Sequence, residues 1–236
     1  MKDIHSHLMY GIDDGSRSLE ESIELLEKQE KKGITDIILT PHYIENSDYV
    51  CGISKKNEIL KELQKYTNIK LYIGNEVYIT ENVRKLLEKD QISTLNNSKY
   101  LLVELPMNNK IVDVENILFD LIRHNIIPII AHPERYTYVQ KDIGYLDDLK
   151  DMGVLFQGNY ESLFGKYGTN AKKTLKKLIK LNYITFLGSD MHRLGYEYHQ
   201  EKVEQKVFRI VKDKNKVKDL IDNNILKVIN NEDIEV

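Results

Sequence analysis

Seven short apolar runs recur at fairly even spacing through this 236-residue chain. They cover residues 3–7, 36–40, 69–77, 100–105, 127–131, 154–157 and 184–187. Most are rich in Ile, Val, Leu and Tyr and too short for a buried helix, which predicts strands. Unbroken stretches such as Ile37-Ile38-Leu39 and Ile127-Pro128-Ile129-Ile130-Ala131 predict burial on both faces, as in a parallel sheet, with Pro128 at a strand's start. Helical patterns lie between the runs. Ser18-Leu19-Glu20-Glu21 reads as a capping box before Ile23, Leu25 and Leu26, with a stop near Gly33. Residues 54–66, 80–88, 113–125 and 169–181 follow, the last two with clear apolar stripes. The lysines on the outer face of 169–181 read as a solvated face. Residues 200–224 form a final helical stretch, and 226–229 could add a short strand. Alternating strand and helix predicts an α/β fold with right-handed crossovers. Seven units favour barrel closure over an open sheet, in one domain spanning residues 1–236. The chemistry then belongs at the C-terminal ends of the strands.

Six of the seven strands deliver a candidate metal ligand there. The first gives His5 and His7, two residues apart and therefore on one face, followed by Asp13-Asp14-Gly15. The second leads to Thr40-Pro41-His42 and the third holds Gly74-Asn75-Glu76. The fourth contains Glu104, the fifth ends Ala131-His132-Pro133-Glu134-Arg135, and the seventh ends Ser189-Asp190-Met191-His192. The sixth gives Gln157-Gly158-Asn159. Singly, each has a plain structural explanation; Asp190, for example, could be a helix N-cap. Glu76, Glu104 and Asp190, however, sit in apolar runs where an unpaired charge costs several kcal/mol. A shared metal cluster removes that cost from all of them together. His124 and His199 fall in helical stretches and read as surface histidines.

Histidines and carboxylates without thiolate suit Mn, Fe, Co or Zn in a reactive site rather than a cysteine-held structural zinc. The donors outnumber the needs of one ion, which implies two or three. Multi-metal clefts are typical of phosphoester hydrolysis. Nucleic acid is excluded as the main partner, because 34 basic against 37 acidic residues leave a net charge of -3 and no basic footprint. No run of about 18 apolar residues exists to insert into a membrane. Cys51 is the single cysteine, which forbids an internal disulfide and fits a reducing compartment. The opening Met1-Lys2-Asp3-Ile4 leaves no room for a signal region ahead of His5, so the expected location is cytoplasmic. A cysteine phosphatase needs C-x5-R. Asn57 stands where Cys51 would need arginine.

These motifs resemble the PHP (polymerase and histidinol phosphatase) superfamily: H-x-H at the start, a histidine after strand two, H-P after a later strand and D-x-H near the end. More narrowly, Gly11-Ile12-Asp13-Asp14-Gly15, Thr40-Pro41-His42-Tyr43, Gly74-Asn75-Glu76-Val77 and Ala131-His132-Pro133-Glu134-Arg135-Tyr136 resemble the bacterial manganese-dependent protein-tyrosine phosphatases of capsular and exopolysaccharide gene clusters. The resemblance runs from the first residues to about His192. It implies a distorted (β/α)7 barrel holding three ions. His5, His7, Glu76 and Asp190 would take one, and Glu76 (bridging), Glu104 and His132 a second. Asp14, His42 and His192 would take the third. It further implies Mn2+ as cofactor and a metal-bridged hydroxide attacking phosphotyrosine. The implied partner is the tyrosine-rich tail of a bacterial tyrosine autokinase. Arg135 is placed to grip phosphate oxygens, and Arg17, near the Asp-Asp-Gly loop, to hold an acidic phosphopeptide. The competing readings are a PHP phosphoesterase for a small monoester such as histidinol phosphate, and a non-catalytic metal-binding scaffold.

Overall fold

The computed structural model describes residues 1–235. Its strands are β1 (Lys2–Asp3), β2 (Asp36–Leu39), β3 (His42–Tyr43), β4 (Lys70–Ile73), β5 (Glu76–Tyr78), β6 (Tyr100–Glu104), β7 (Ile127–Ala131), β8 (Leu155–Asn159) and β9 (Phe186–Gly188). Every pairing between them is parallel. Because β2 pairs with β4 and β3 with β5, β2 and β3 form one stave interrupted at Thr40-Pro41, and β4 and β5 its neighbour, interrupted at Gly74-Asn75. The nine strands therefore form seven staves. A parallel bridge between Ser6 and Met191 closes the last against the first. The His7 amide donates to the Met191 carbonyl (2.7 Å) and the Asp190 amide to the His5 carbonyl (2.9 Å). This is the seven-unit barrel that the alternation predicts.

The helices are α1 (Leu19–Lys31), α2 (Ile53–Leu63), α3 (Val83–Glu88), α4 (Val114–Arg123), α5 (Thr137–Lys141), α6 (Asp147–Asp151), α7 (Gly168–Lys180), α8 (Gln200–Val211), α9 (Lys214–Lys218) and α10 (Asn224–Ile229). Ser18 caps α1 by accepting from the Glu21 amide (3.2 Å). The Glu21 carboxylate takes the Arg17 amide instead of returning to Ser18, so half of the capping box forms. The single helix expected over 200–224 is broken. Lys212 turns left-handed (φ 56) and ends α8. Residues 226–229 are helix, not strand. Ile225, Val228 and Ile229 recur at helical spacing and bury one face. They pack with Ile4, Ile38, Leu102, Ile129, Leu155 and Phe186, and with half-buried Tyr72. These supply one residue from each of the seven staves, so α10 plugs the barrel's lower end.

The same period of two lifts the polar layer above this apolar one. Ile38 is followed on its face by Thr40 and His42, and Tyr72 by Gly74 and Glu76. Leu102 is followed by Glu104, Leu155 by Gln157 and Asn159, and Phe186 by Gly188 and Asp190. Five of the seven staves thus carry an apolar base and a polar tip on one face.

Candidate metal centre

Nine side chains converge at the upper mouth: His5, His7, Asp14, His42, Glu76, Glu104, His132, Asp190 and His192. They are the nine that the sequence motifs single out. Three sets of their donor atoms fall close enough to hold an ion: His7, Asp14, His42 and His192; His5, His7 and Asp190; and His42, Glu76 and Glu104. Glu76 lies at the centre. Its Oε2 is 3.1 Å from His5 Nε2, 3.3 Å from His7 Nε2 and 3.1 Å from His42 Nδ1. Its Oε1 meets His132 Nε2 at 2.9 Å. His132 in turn lies 3.6 Å from Glu104. The grouping departs from the motif-based sets in three respects. His7 reaches toward the third set as well as the first, Glu76 is not grouped with His5, His7 and Asp190, and His42 joins Glu76 and Glu104 where His132 was expected.

Local backbone chemistry makes this crowding feasible. A Cβ at Gly15 would lie 2.1 Å from the His7 carbonyl oxygen, so only glycine lets the Asp13–Asp14 loop fold onto His7. A Cβ at Gly188 would lie 2.9 Å from that of His5. His132 (φ 35) and Asp190 (φ 51) adopt left-handed backbone, a strain tolerated where surrounding structure fixes a functional side chain. At His132 this turn breaks the period of two that ends with Ala131 and swings the imidazole into the mouth.

Residues outside the nine aim these groups. His5 Nδ1 donates to Gln157 Oε1 (2.8 Å), and His7 Nδ1 donates to Asp13 Oδ2 (2.7 Å). The two Nε2 atoms, turned away from these partners, face each other at 3.1 Å. Asp190 Oδ2 accepts from Arg135 Nη1 (2.9 Å), Asn159 Nδ2 (2.7 Å) and the Tyr167 hydroxyl (3.1 Å), leaving Oδ1 turned to the histidines. Such orienting partners fix tautomer and direction for metal ligands. Strand β8, the sixth stave, which offers no candidate ligand, thus serves through Gln157 and Asn159. Asp13 was hidden beside Asp14, and Tyr167 lies in a segment with no motif.

The donors fit cations. Asp14 Oδ1, His42 Nδ1, Glu76 Oε2 and His132 Nδ1 are buried without a hydrogen-bond partner, a costly state that bound ions would relieve for those facing them. Burial disfavours charge on His5, but the Glu76 and Asp190 carboxylates outweigh it and raise the imidazole to about 9. His192, whose Nε2 lies 3.5 Å from Asp14 Oδ1, draws Asp14 down to about 2. Burial, then the Arg135 cation, lowers His132 to about 4, leaving it a neutral ligand. Burial and the neighbouring Glu76 push Glu104 up. The mouth therefore attracts positive charge at its centre.

A cavity of about 570 Å³ opens over these groups, lined also by Arg135, Lys166, Tyr167, Arg193 and Tyr196. Arg135 lies over the Tyr167 ring at 4.4 Å. Arg17 is not among the lining residues. Arg193 is, and its Nε donates to the carbonyls of Asp14 (2.7 Å) and Gly15 (3.1 Å). His199 is more than a surface histidine: its Nδ1 meets the buried Glu161 carboxylate at 2.9 Å.

Residues 1–230 match the family described as capsular polysaccharide synthesis, CpsB/CapC. The chain belongs to that family. A putative tyrosine-protein phosphatase CapC from Staphylococcus aureus is 36% identical over 199 residues, covering 82% of this chain and 78% of the relative. A tyrosine-protein phosphatase CpsB from Streptococcus pneumoniae is 30% identical over 243 residues, covering 97% and 98%. Among solved structures, one described as YwqE from Bacillus subtilis and CpsB from Streptococcus pneumoniae, unique metal-dependent tyrosine phosphatases, superposes with a TM-score of 0.92 at 28% identity, covering 100% of this chain and 96% of that one. A histidinol phosphate phosphatase from Lactococcus lactis, with a TM-score of 0.55 at 13% identity, shares the fold. It covers 90% of this CpsB/CapC-family chain and 94% of its own.

Proposed function

We propose that this chain is a metal-dependent protein-tyrosine phosphatase of capsular or exopolysaccharide synthesis. It acts as one PHP-type domain over its 236 residues, in the cytoplasm, on the tail of a bacterial tyrosine kinase. Mn2+ is the proposed cofactor, in two or three ions held by the nine converging side chains. The observation that carries this reading is the crowding of His5 and His7 Nε2, 3.1 Å apart, around Glu76 Oε2. A metal cation seated among such groups makes that arrangement favourable. Among the described residues, no helix is long and apolar enough to cross a membrane.

Bound ions supply Lewis acidity and a nucleophile at neutral pH. The chain's own groups do the rest. Arg135, half-buried at the cavity edge, is held by Asp190 and by the Tyr167 ring. One face of its guanidinium is thereby fixed before substrate arrives, and its remaining donors are free to grip phosphate oxygens as charge builds on them. Gln157 and Asp13 keep His5 and His7 in the ligand tautomer. Lys166 and Tyr196 stand at the rim, where a phenyl ring would pass.

The test is an assay of chelator-stripped and Mn2+-reloaded protein on a phosphotyrosyl peptide and on histidinol phosphate. Reloading should restore hydrolysis of the peptide, and iodoacetamide should not impair it. A strong preference for histidinol phosphate would overturn the substrate assignment. No turnover of either with Mn2+, Fe2+, Co2+ or Zn2+ would leave a metal-binding scaffold.

A further inference from the structure

Charge is segregated along this chain. Residues 1–165 hold 19 Lys and Arg against 27 Asp and Glu, whereas residues 166–236 hold 15 against 10. The excess concentrates on two neighbouring helices. Helix α7 carries Lys172, Lys173, Lys176, Lys177 and Lys180 and no acidic residue. None of the five reaches a carboxylate within 4.0 Å among the described residues. Both lysines of α1 do pair, Lys28 with Glu24 (2.8 Å) and Lys31 with Glu27 (3.7 Å).

Helix α8 adds Lys206 and Arg209 to the same region. Partial burial, and then the cationic Lys172, Lys176 and Arg209, lower the proton affinity of Lys206. Like charges gathered this closely repel one another, a cost that an anionic partner removes. The region also runs into the catalytic mouth. Lys206 lies over the Phe164 ring at 5.5 Å, and Phe164 stacks on His199 at 4.4 Å. Phe164, His199, Lys166 and Tyr196 line a groove of about 340 Å³. Lys166 and Tyr196 line the metal cavity too, so groove and cavity adjoin. The acidic groups nearby are largely committed. Glu161 is buried against His199, Glu197 lies 3.7 Å from His199 Nε2, and Glu201 pairs with Lys32 and Lys202. Glu204 is exposed on α8.

We propose that the α7–α8 lysine face docks an acidic segment of the substrate protein, next to the phosphotyrosine that enters the cavity past Lys166 and Tyr196. The proposal rests on the phosphatase reading above. Continuity with the catalytic mouth favours a substrate segment over an anionic lipid surface.

The experiment compares a phosphotyrosyl peptide flanked by Asp and Glu with the same peptide flanked by Ala, using p-nitrophenyl phosphate as a small reporter. The protein is the metal-loaded full chain and its variant carrying Lys172→Glu, Lys176→Glu and Lys206→Glu. For the unmodified chain at low salt, KM should be about five- to tenfold lower for the acidic peptide, as a few exposed charge pairs allow. Its kcat should be the same on both peptides. The preference should fade at ~0.5 M salt. The triple variant should lose it while hydrolysing p-nitrophenyl phosphate normally, and the corresponding triple Arg variant should keep it. Equal KM values on the two peptides would overturn the docking role alone. Equal KM values together with lysine-dependent binding to phosphatidylserine vesicles would reassign the face to a membrane. No turnover of any phosphate ester would overturn the phosphatase reading and this proposal with it.

Discussion

The two ends of the barrel treat charge in opposite ways. At the lower end, Lys2 lies 2.8 Å from Asp36 and 3.3 Å from Asp222. Asp36 also accepts from the hydroxyls of Thr35 (2.7 Å) and Tyr72 (3.1 Å). These three charges are partnered within the chain, and α10 seals the apolar layer beside them. At the upper end, Asp14, Glu76, Glu104 and Asp190 meet five histidines and the guanidinium of Arg135, and four buried polar atoms stay unpartnered. The lower end is complete without help. The upper end is complete only with cations. One barrel thus separates a stabilising pole from a reactive one, as expected where strand C-termini carry the chemistry.

The sharpest way to break this comparison is to remove its centre. Glu76→Ala, or His132→Ala, should reduce phosphatase turnover by at least ~10³-fold, the scale of losing a group that holds transition-state charge. Near-normal turnover in both would show the centre is misplaced. Asp13→Asn keeps the shape but loses the carboxylate that orients His7. It should lower metal affinity or activity by about 10–100-fold, readable as a shifted Mn2+ activation curve. Chelation should destabilise the loaded protein by ~2.7 kcal/mol relative to metal at a hundred times its dissociation constant. Thermal unfolding would report it, and Glu76→Ala should lose most of that increment. At the other pole, Asp36→Ala should cost about 1–3 kcal/mol of stability by leaving a part-buried lysine underpaired. Its kcat should not change; a fall there would mean the two ends are coupled.

A pH-dependent effect concerns Lys56, fully buried behind the stave break and bonded to the Gly74 carbonyl (3.3 Å), Asn75 Oδ1 and Ser93 Oγ (2.8 Å). Burial lowers it to about 7 from 10.5. Between those values the unfolded chain binds the extra proton, so stability should rise as pH climbs from about 7 toward 10.5 and be flat below 7. Denaturant titrations across that range would show the slope. Lys56→Met should abolish it.

Much of the candidate site was legible because most of its donors stand at a strand's tip, where a charge in an apolar run has no structural excuse; Asp14 stood out only through its loop motif. The orienting groups were not legible in the same way. Gln157, Asn159 and Tyr167 are ordinary polar residues until closure brings them to His5 and Asp190. Arg193, with no motif of its own, reaches the cavity edge where Arg17 was expected. The C-terminal stretch misled for a related reason: residues 226–229 have strand-forming composition, but the open base of the barrel offers an apolar surface that a helix face fills better.

By itself the sequence determined the alternation, the parallel staves and the identity of the nine convergent donors, because periodicity and the cost of buried charge act along the chain. The tertiary structure alone decided which donors share a site, which carboxylate oxygen is left free and which lysines lack partners. Those depend on distances across the barrel and between helices, and residues far apart in sequence set them.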